Sequence, residues 1–149
     1  RKKTKLDFET QYPVRVEQEV AWGEQDKLGH VNNTVYFRYF ENARIAQFER
    51  LGLKFPEPGG HGLGPILANT QCDFLKPIHF PDRIRTEIGI SRLGKSSFIQ
   101  LYRIYSYHQQ DYVAKGTSVS VFYDYAAGKS APIPEELRQA IVELEGLKG

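Results

Sequence analysis

From Val14 to Trp22 the apolar residues fall at 14, 16, 20 and 22, with Arg15, Glu17, Glu19 and Ala21 between them. A period of two carrying Val and Trp predicts a strand with one buried face, ended by Gly23. After Asn33 the period changes. At 100° per residue over 33–51, Tyr36, Phe37, Tyr39, Phe40, Ala43, Phe48 and Leu51 share one broad arc, and Arg38, Asn42 and Glu49 gather opposite. That predicts a long helix wrapped by a sheet over much of its circumference. Asn32 or Asn33 suits its N-cap, and Gly52 the left-handed residue at its end. Arg44 and Gln47 fall inside the arc; Glu41, three residues before Arg44, predicts an ion pair across one turn.

Phe55–Pro65 holds three Pro and four Gly in eleven residues and predicts a connector or flap. No Gly-Lys-Ser/Thr follows, so it is not a phosphate loop. Beyond it the chain predicts four strands, at 66–75, 84–90, 98–107 and 113–123. The turns between them are Lys76–Asp82, Leu93–Lys95 and Gln109–Asp111. Short connections make the last three strands antiparallel hairpins. Pro134-Glu135-Glu136-Leu137 opens a short closing helix. The expected fold class is α+β: a polar lead-in over 1–12, then one domain over 13–149. In that domain a five-stranded antiparallel sheet covers a long helix.

Composition narrows the class. A chain of 149 residues holds one domain with a proper core, and 40% hydrophobic with 26% charged residues is ordinary for a globular protein. No apolar run approaches the roughly 20 residues that span a bilayer, so no membrane insertion is expected. Arg1, Lys2, Lys3 and Lys5 form a basic stub, leaving 16 basic against 18 acidic side chains in the remainder. A mildly acidic body gives no footprint for nucleic acid. Cys72 is the single cysteine, which excludes an internal disulfide and fits a reducing compartment, cytoplasm or mitochondrial matrix. There is no Met, even at position 1, as expected of a chain trimmed at its start, for instance by removal of a presequence.

The candidate chemistry lies in Asp26-Lys27-Leu28-Gly29-His30-Val31-Asn32-Asn33, immediately before the long helix. The unpaired N–H groups of a first helical turn, with the helix dipole behind them, can hold a carbonyl oxygen turning into an oxyanion. A carboxylate beside them can attack that carbonyl or activate water. Each residue also has a structural role open to it. Asp26 suits an Asx turn, His30 a loop-organising imidazole, Asn32 and Asn33 caps, and Tyr36 the core. Cys72 alternates with apolar neighbours, as a buried inert thiol does. His30, His61, His79 and His108 share no metal-ligand spacing, so neither metal nor other cofactor is expected.

The stretch Asp-x-x-Gly-His-Val-Asn-Asn-x-x-Tyr, followed by an aromatic helix with Phe-Glu-x-Ala-Arg, resembles the hotdog-fold acyl-CoA thioesterases, in particular the 4-hydroxybenzoyl-CoA thioesterase-like family. Phe74-Leu75-Lys76-Pro77 and Gly94-Lys95-Ser96-Ser97-Phe98 look like its second strand leaving the helix and its turn into the fourth. The resemblance covers about residues 12–125. It implies hydrolysis of an acyl-CoA to free acid and CoA, with Asp26 as nucleophile or general base. The Asn33 N–H would polarise the carbonyl, with His30 beside them. Asn32, Tyr36, Arg92, Lys95 and Ser96 would bind substrate, the last three near its nucleotide or phosphates. Glu24 stands where relatives often carry a second acid. The family's site lies between protomers, which implies a homodimer or homotetramer. Some relatives act on acyl-carrier-protein thioesters, so that carrier stays open. So do a hotdog hydratase or dehydratase, faintly suggested by His79-Phe80-Pro81, and a non-catalytic hotdog subunit of a larger assembly.

Overall fold

The computed structural model describes residues 6–53 and 62–147. In chain order the elements are β1 (Leu6–Asp7), β2 (Val14–Glu19), α1 (Asn33–Arg50), β3 (Leu63–Phe74), β4 (Arg83–Leu93), β5 (Ser97–Ser106), β6 (Asp111–Asp124), β7 (Lys129–Ser130) and α2 (Glu135–Leu144). One antiparallel sheet carries the order β1-β4-β5-β6-β3, with β2 also on β4 and β7 on β6. Among the described residues the sheet therefore has seven strands where five were expected. The two extra are two-residue stubs, too short for any period to show. β3 begins at Leu63, inside the stretch expected to be a connector; residues 55–61 of that stretch lie outside the described residues. Among the described residues no helix is long and apolar enough to cross a membrane.

The helix α1 lies across the inner face of the sheet, as its apolar arc predicts. Tyr36, Tyr39, Phe40 and Ala43 pack with Ile78, Ile84, Ile88, Tyr102 and Ile104. The Phe40 ring stacks on Tyr102 at 4.3 Å between centroids. Gly116 permits this approach, because a Cβ there would sit 2.4 Å from the Phe40 ring and 2.5 Å from the Gln71 carbonyl oxygen. A second cluster, with Phe48, Leu51, Ile90, Leu93, Phe98 and Phe122, is closed by Ile133, Leu137 and Ile141 from the C-terminal segment and α2. Asn32 is the N-cap of α1, its side-chain oxygen accepting from Thr34 N–H at 3.0 Å. Gly52, at φ +73°, ends the helix, and Leu53 N–H returns to the Phe48 carbonyl.

Two local expectations change. The strand expected to run to Trp22 stops at Glu19, and Trp22 enters a 3-10 turn with 73% of its surface exposed. Val20 N–H bonds the carbonyl of Asp82, just before β4 begins, so the β2 ladder closes there. Among the described residues Glu41 makes no ion pair with Arg44. Arg44 reaches the Tyr102 hydroxyl instead, at 3.1 Å, and Gln47 accepts from Gln100 Nε2 at 2.7 Å. Both groups point into the helix–sheet layer, where Arg44 and the Gln47 amide oxygen find partners on the sheet, while Gln47 Nε2 stays buried without an acceptor among the described residues.

Residues 6–19 run along β4 in two pieces, β1 and β2. In the gap between them Glu145, at the end of α2, takes the place of a strand. Its carboxylate accepts from the Ile90 N–H at 2.8 Å and the Thr10 hydroxyl at 2.6 Å, with only 6% of the residue exposed. Burial raises its pKa against the lowering by those two hydrogen bonds. The folded state thus holds this proton more tightly than the unfolded chain, and stability falls as pH rises from about 4.3 through the raised value. Glu145→Ala is expected to cost about 1–3 kcal/mol by orphaning the Ile90 N–H. Glu145→Gln should retain most of that stability and remove this part of the pH slope. Urea titrations of the three proteins between pH 4 and 8 check both.

Candidate active site

The loop from Gln25 to Asn32 is pinched at its neck by a bridge between Gln25 and Val31. Inside it Asp26 N–H donates to the His30 carbonyl at 2.7 Å, and Gly29 N–H to the Asp26 carbonyl at 3.1 Å. Gly29 has φ +78°, a conformation that glycine adopts without steric cost. Asp26 Oδ1 accepts from Leu28 N–H at 2.8 Å and His30 N–H at 3.3 Å. One carboxylate oxygen therefore performs the turn-forming role. Among the described residues Oδ2 has no hydrogen-bond partner, and the side chain is exposed in the single protomer.

The helix start is tied back onto the same loop, since Asn32 N–H donates to the Glu24 carbonyl at 2.9 Å. The Asn32 side chain serves Thr34, through its N–H and its hydroxyl, at 3.0 and 2.9 Å. Asn33 is the first helical residue, and among the described residues its N–H has no acceptor. Asp26, His30, Asn32 and Asn33 are thus gathered at one place. Tyr36, one turn on, is 2% exposed and belongs to the core. Its ring meets Phe74 edge-on at 4.9 Å, its hydroxyl takes a backbone hydrogen bond from Ile78, and burial raises its pKa.

Arg92, Lys95 and Ser96 stand elsewhere. They border an open depression of ≈ 310 Å³ with Gly94, Ser97, Phe98, Ile99 and Val119, at the β4–β5 turn. The turn backbone is held from behind: Ile133 N–H donates to the Lys95 carbonyl, Phe122 N–H to that of Ser96, and Arg138 to that of Gly94. Arg92 also pairs with Asp7 at 3.4 Å, an exposed contact. The Asp26 loop lies against Ile78 and His79, before β4 begins, and Lys95 lies after β4 ends. Eleven extended residues separate the two, roughly 35 Å. One protomer does not bring them together.

Two neighbours of the loop gain a place that local sequence did not give them. His79 Nδ1 lies 3.2 Å from the Gly29 carbonyl oxygen, and its ring meets His30 edge-on at 4.8 Å. Glu24 accepts from the buried Tyr39 hydroxyl and from Ala21 N–H, each at 2.8 Å, which joins the loop entrance to the middle of α1. Burial, more than this bond, raises the Tyr39 pKa. The Cys72 thiol, half-buried in β3, is pushed up to about 12 by burial, so it stays protonated and a poor nucleophile. Among the described residues no three His, Cys, Asp or Glu side chains are grouped to hold a metal ion.

A long helix wrapped by one antiparallel sheet, with a hydrogen-bonded loop leading into the helix start, is the architecture of the hotdog fold. The sequence profile described as the thioesterase-like superfamily matches residues 20–141, and the chain belongs to that family. Among solved structures it is similar to a thioesterase complexed with coenzyme A and Zn from Thermus thermophilus. Identity is 34%, the TM-score is 0.81, and the match covers 92% of this chain and 97% of that one. Among curated proteins it is 25% identical over 134 residues to the 1,4-dihydroxy-2-naphthoyl-CoA hydrolase of Synechococcus sp. (strain WH7803), covering 85% of this chain and 86% of the relative. It is 26% identical over 129 residues to a chloroplastic acyl-acyl carrier protein thioesterase of Arabidopsis thaliana, covering 85% and 66%. The protein is a thioester hydrolase.

Proposed function

We propose that the protein hydrolyses an acyl-CoA thioester to the free acid and CoA, at a site completed by a second copy of the chain. The observation that carries this reading is the pairing of an unengaged Asp26 oxygen with the unengaged Asn33 N–H on two ends of one hydrogen-bonded loop. In the nucleophilic form, the Asp26 carboxylate adds to the thioester carbon, the C–S bond breaks, CoA leaves as thiolate, and water cleaves the mixed anhydride. In the general-base form, Asp26 takes a proton from water, whose oxygen adds to the same carbon, and the C–S bond then breaks to release CoA as thiolate. In both, negative charge builds on the carbonyl oxygen, where the Asn33 N–H and the α1 dipole stabilise it. His30 borders the carboxylate and Asn32 the acyl end, with Tyr36 packed behind that end in the core.

Arg92, Lys95 and Ser96 bind the phosphates of CoA, with basic side chains and a hydroxyl around one depression. Their distance from Asp26 within a protomer requires that they come from a second copy. β3 offers the seam: it is the edge strand of the sheet, twelve residues long, with Leu63, Leu67 and Phe74 exposed on it. Such an edge is a template for pairing with another strand. An acyl-carrier-protein thioester is the second reading, favoured by the Arabidopsis relative's substrate.

The test is thiol release from a panel of acyl-CoAs and one acyl-carrier-protein thioester. Release from CoA thioesters with a particle of dimer mass or larger supports the proposal. A fully active monomer sinks the shared site, and no release from any thioester sinks the reaction. Lys95→Ala is expected to raise KM for acyl-CoA about 5- to 10-fold, the worth of one charge-assisted contact to phosphate, with kcat nearly unchanged.

A further inference from the structure

The segment joining β3 to β4 docks against the Asp26 loop through Ile78. That residue is wholly buried, and its carbonyl accepts from Val31 N–H at 2.8 Å. The next residue, His79, is exposed and lies against the loop itself. Its Nδ1 is 3.2 Å from the Gly29 carbonyl oxygen, and its ring stands edge-on to His30, 4.8 Å between centroids and 78° between planes. A carbonyl oxygen can only accept, so Nδ1 carries the hydrogen of this bond, in the neutral and the protonated ring alike. Gly29 and His30 are two of the three residues that close the turn around Asp26: Gly29 donates to its carbonyl, and His30, with Leu28, to its Oδ1.

We propose that His79 is a positioning residue for hydrolysis. By donating to the Gly29 carbonyl and packing against His30, it fixes the turn that aims the free oxygen of Asp26 toward the carbon held at the Asn33 N–H. The loop is anchored at its base, through Val31 to the Ile78 carbonyl and Asn32 to the Glu24 carbonyl, but its tip over Lys27–Gly29 is exposed and has only short-range hydrogen bonds to set its direction. A clamp from a segment 50 residues away is what a reaction needs when small misplacement of the attacking group lowers the rate by up to about 100-fold.

The inference rests on the hydrolase reading, and its test separates the two. Wild type, His79→Ala, His79→Gln and the double variant Asp26→Asn with His79→Ala are compared on the best acyl-CoA of the panel, with thermal midpoints recorded for each. His79→Ala is expected to lower kcat about 10-fold, with KM within about 2-fold and an unchanged midpoint, as for a lost orienting contact. His79→Gln, whose amide N–H can reach the same carbonyl, restores most of kcat with the wild-type pH profile. The double variant is no slower than Asp26→Asn alone, because His79 acts through Asp26. An unchanged kcat in His79→Ala overturns the inference and leaves the hydrolase standing. So does a loss confined to KM, a midpoint that falls with the rate, or a His79→Gln protein that stays slow with an altered pH profile. A wild type that releases no thiol overturns the hydrolase reading itself.

Discussion

Asp26→Asn is expected to leave the protein folded and to lower kcat for thioester hydrolysis by about 10²- to 10⁴-fold, the range for loss of a positioned carboxylate. Asparagine is nearly isosteric, and its amide oxygen can still accept from Leu28 and His30 N–H as Asp26 Oδ1 does. The turn therefore survives. What disappears is the second oxygen, unengaged in the fold, whose charge serves as nucleophile or base in the proposed mechanism. KM should change little, since the phosphate contacts proposed for Arg92, Lys95 and Ser96 do not involve this carboxylate. Thiol-trapping kinetics beside a circular-dichroism melt check both halves. Retained kcat would falsify the role given to Asp26, and a collapsed melt would make it a folding residue. Cys72→Ser supplies the contrast, with kcat unchanged, because its thiol is held protonated. A single turnover in ¹⁸O-water divides the two mechanisms further, since label recovered in Asp26 itself marks the anhydride route.

Glu87→Ala is expected to cost about 3 kcal/mol of stability, the low end for breaking a buried ion pair. Glu87 lies in β4 with no exposed surface, directly across from Arg103 on β5. Its carboxylate takes Arg85 Nε at 2.6 Å, Arg103 Nε at 2.5 Å and the Tyr112 hydroxyl at 3.3 Å. The guanidinium of Arg85 lies over Tyr105, and that of Arg103 over Tyr12 at 4.0 Å and Tyr112 at 4.8 Å. Removing the anion leaves two cations facing one another under aromatic rings. Their side chains keep 21% and 34% exposure, so water recovers part of the loss.

Burial alone would raise the Glu87 pKa, but the hydrogen bonds and charges of Arg103 and Arg85 outweigh it and hold the pKa low. For a depressed acid, the stabilisation is complete above the unfolded value, about 4.3, and is lost as pH falls through the folded one. Urea midpoints should therefore separate wild type from Glu87→Ala most at pH 7 and converge under acid. Equal midpoints at pH 7 would mean the cluster contributes nothing.

Much of this protein is legible along the chain. The helix over 33–51 and the four later strands follow from period alone, to within a few residues at their ends. The Asp26–Asn33 stretch declares both its turn and its cap, because Asx, Gly and Asn act on backbone groups two to four residues away. Trp22 shows where that reading fails. Alternation placed it on a buried face, but the chain leaves β4 at Glu19 and the ring goes to water. Arg44 fails differently, its neighbour in sequence losing to a tyrosine hydroxyl 58 residues away.

The amino-acid order by itself determined the helix, the succession of the longer strands, the turn and cap of the loop, and the family to which they belong. Tertiary structure alone decided that His79 meets Gly29, that Glu145 fills the gap between β1 and β2 beside β4, and that the basic turn stands a full strand's length from Asp26. Backbone periodicity and capping act over a few residues and leave a trace in any short window. Contacts between distant segments depend on strand register and on the path of connectors, and no local pattern encodes either.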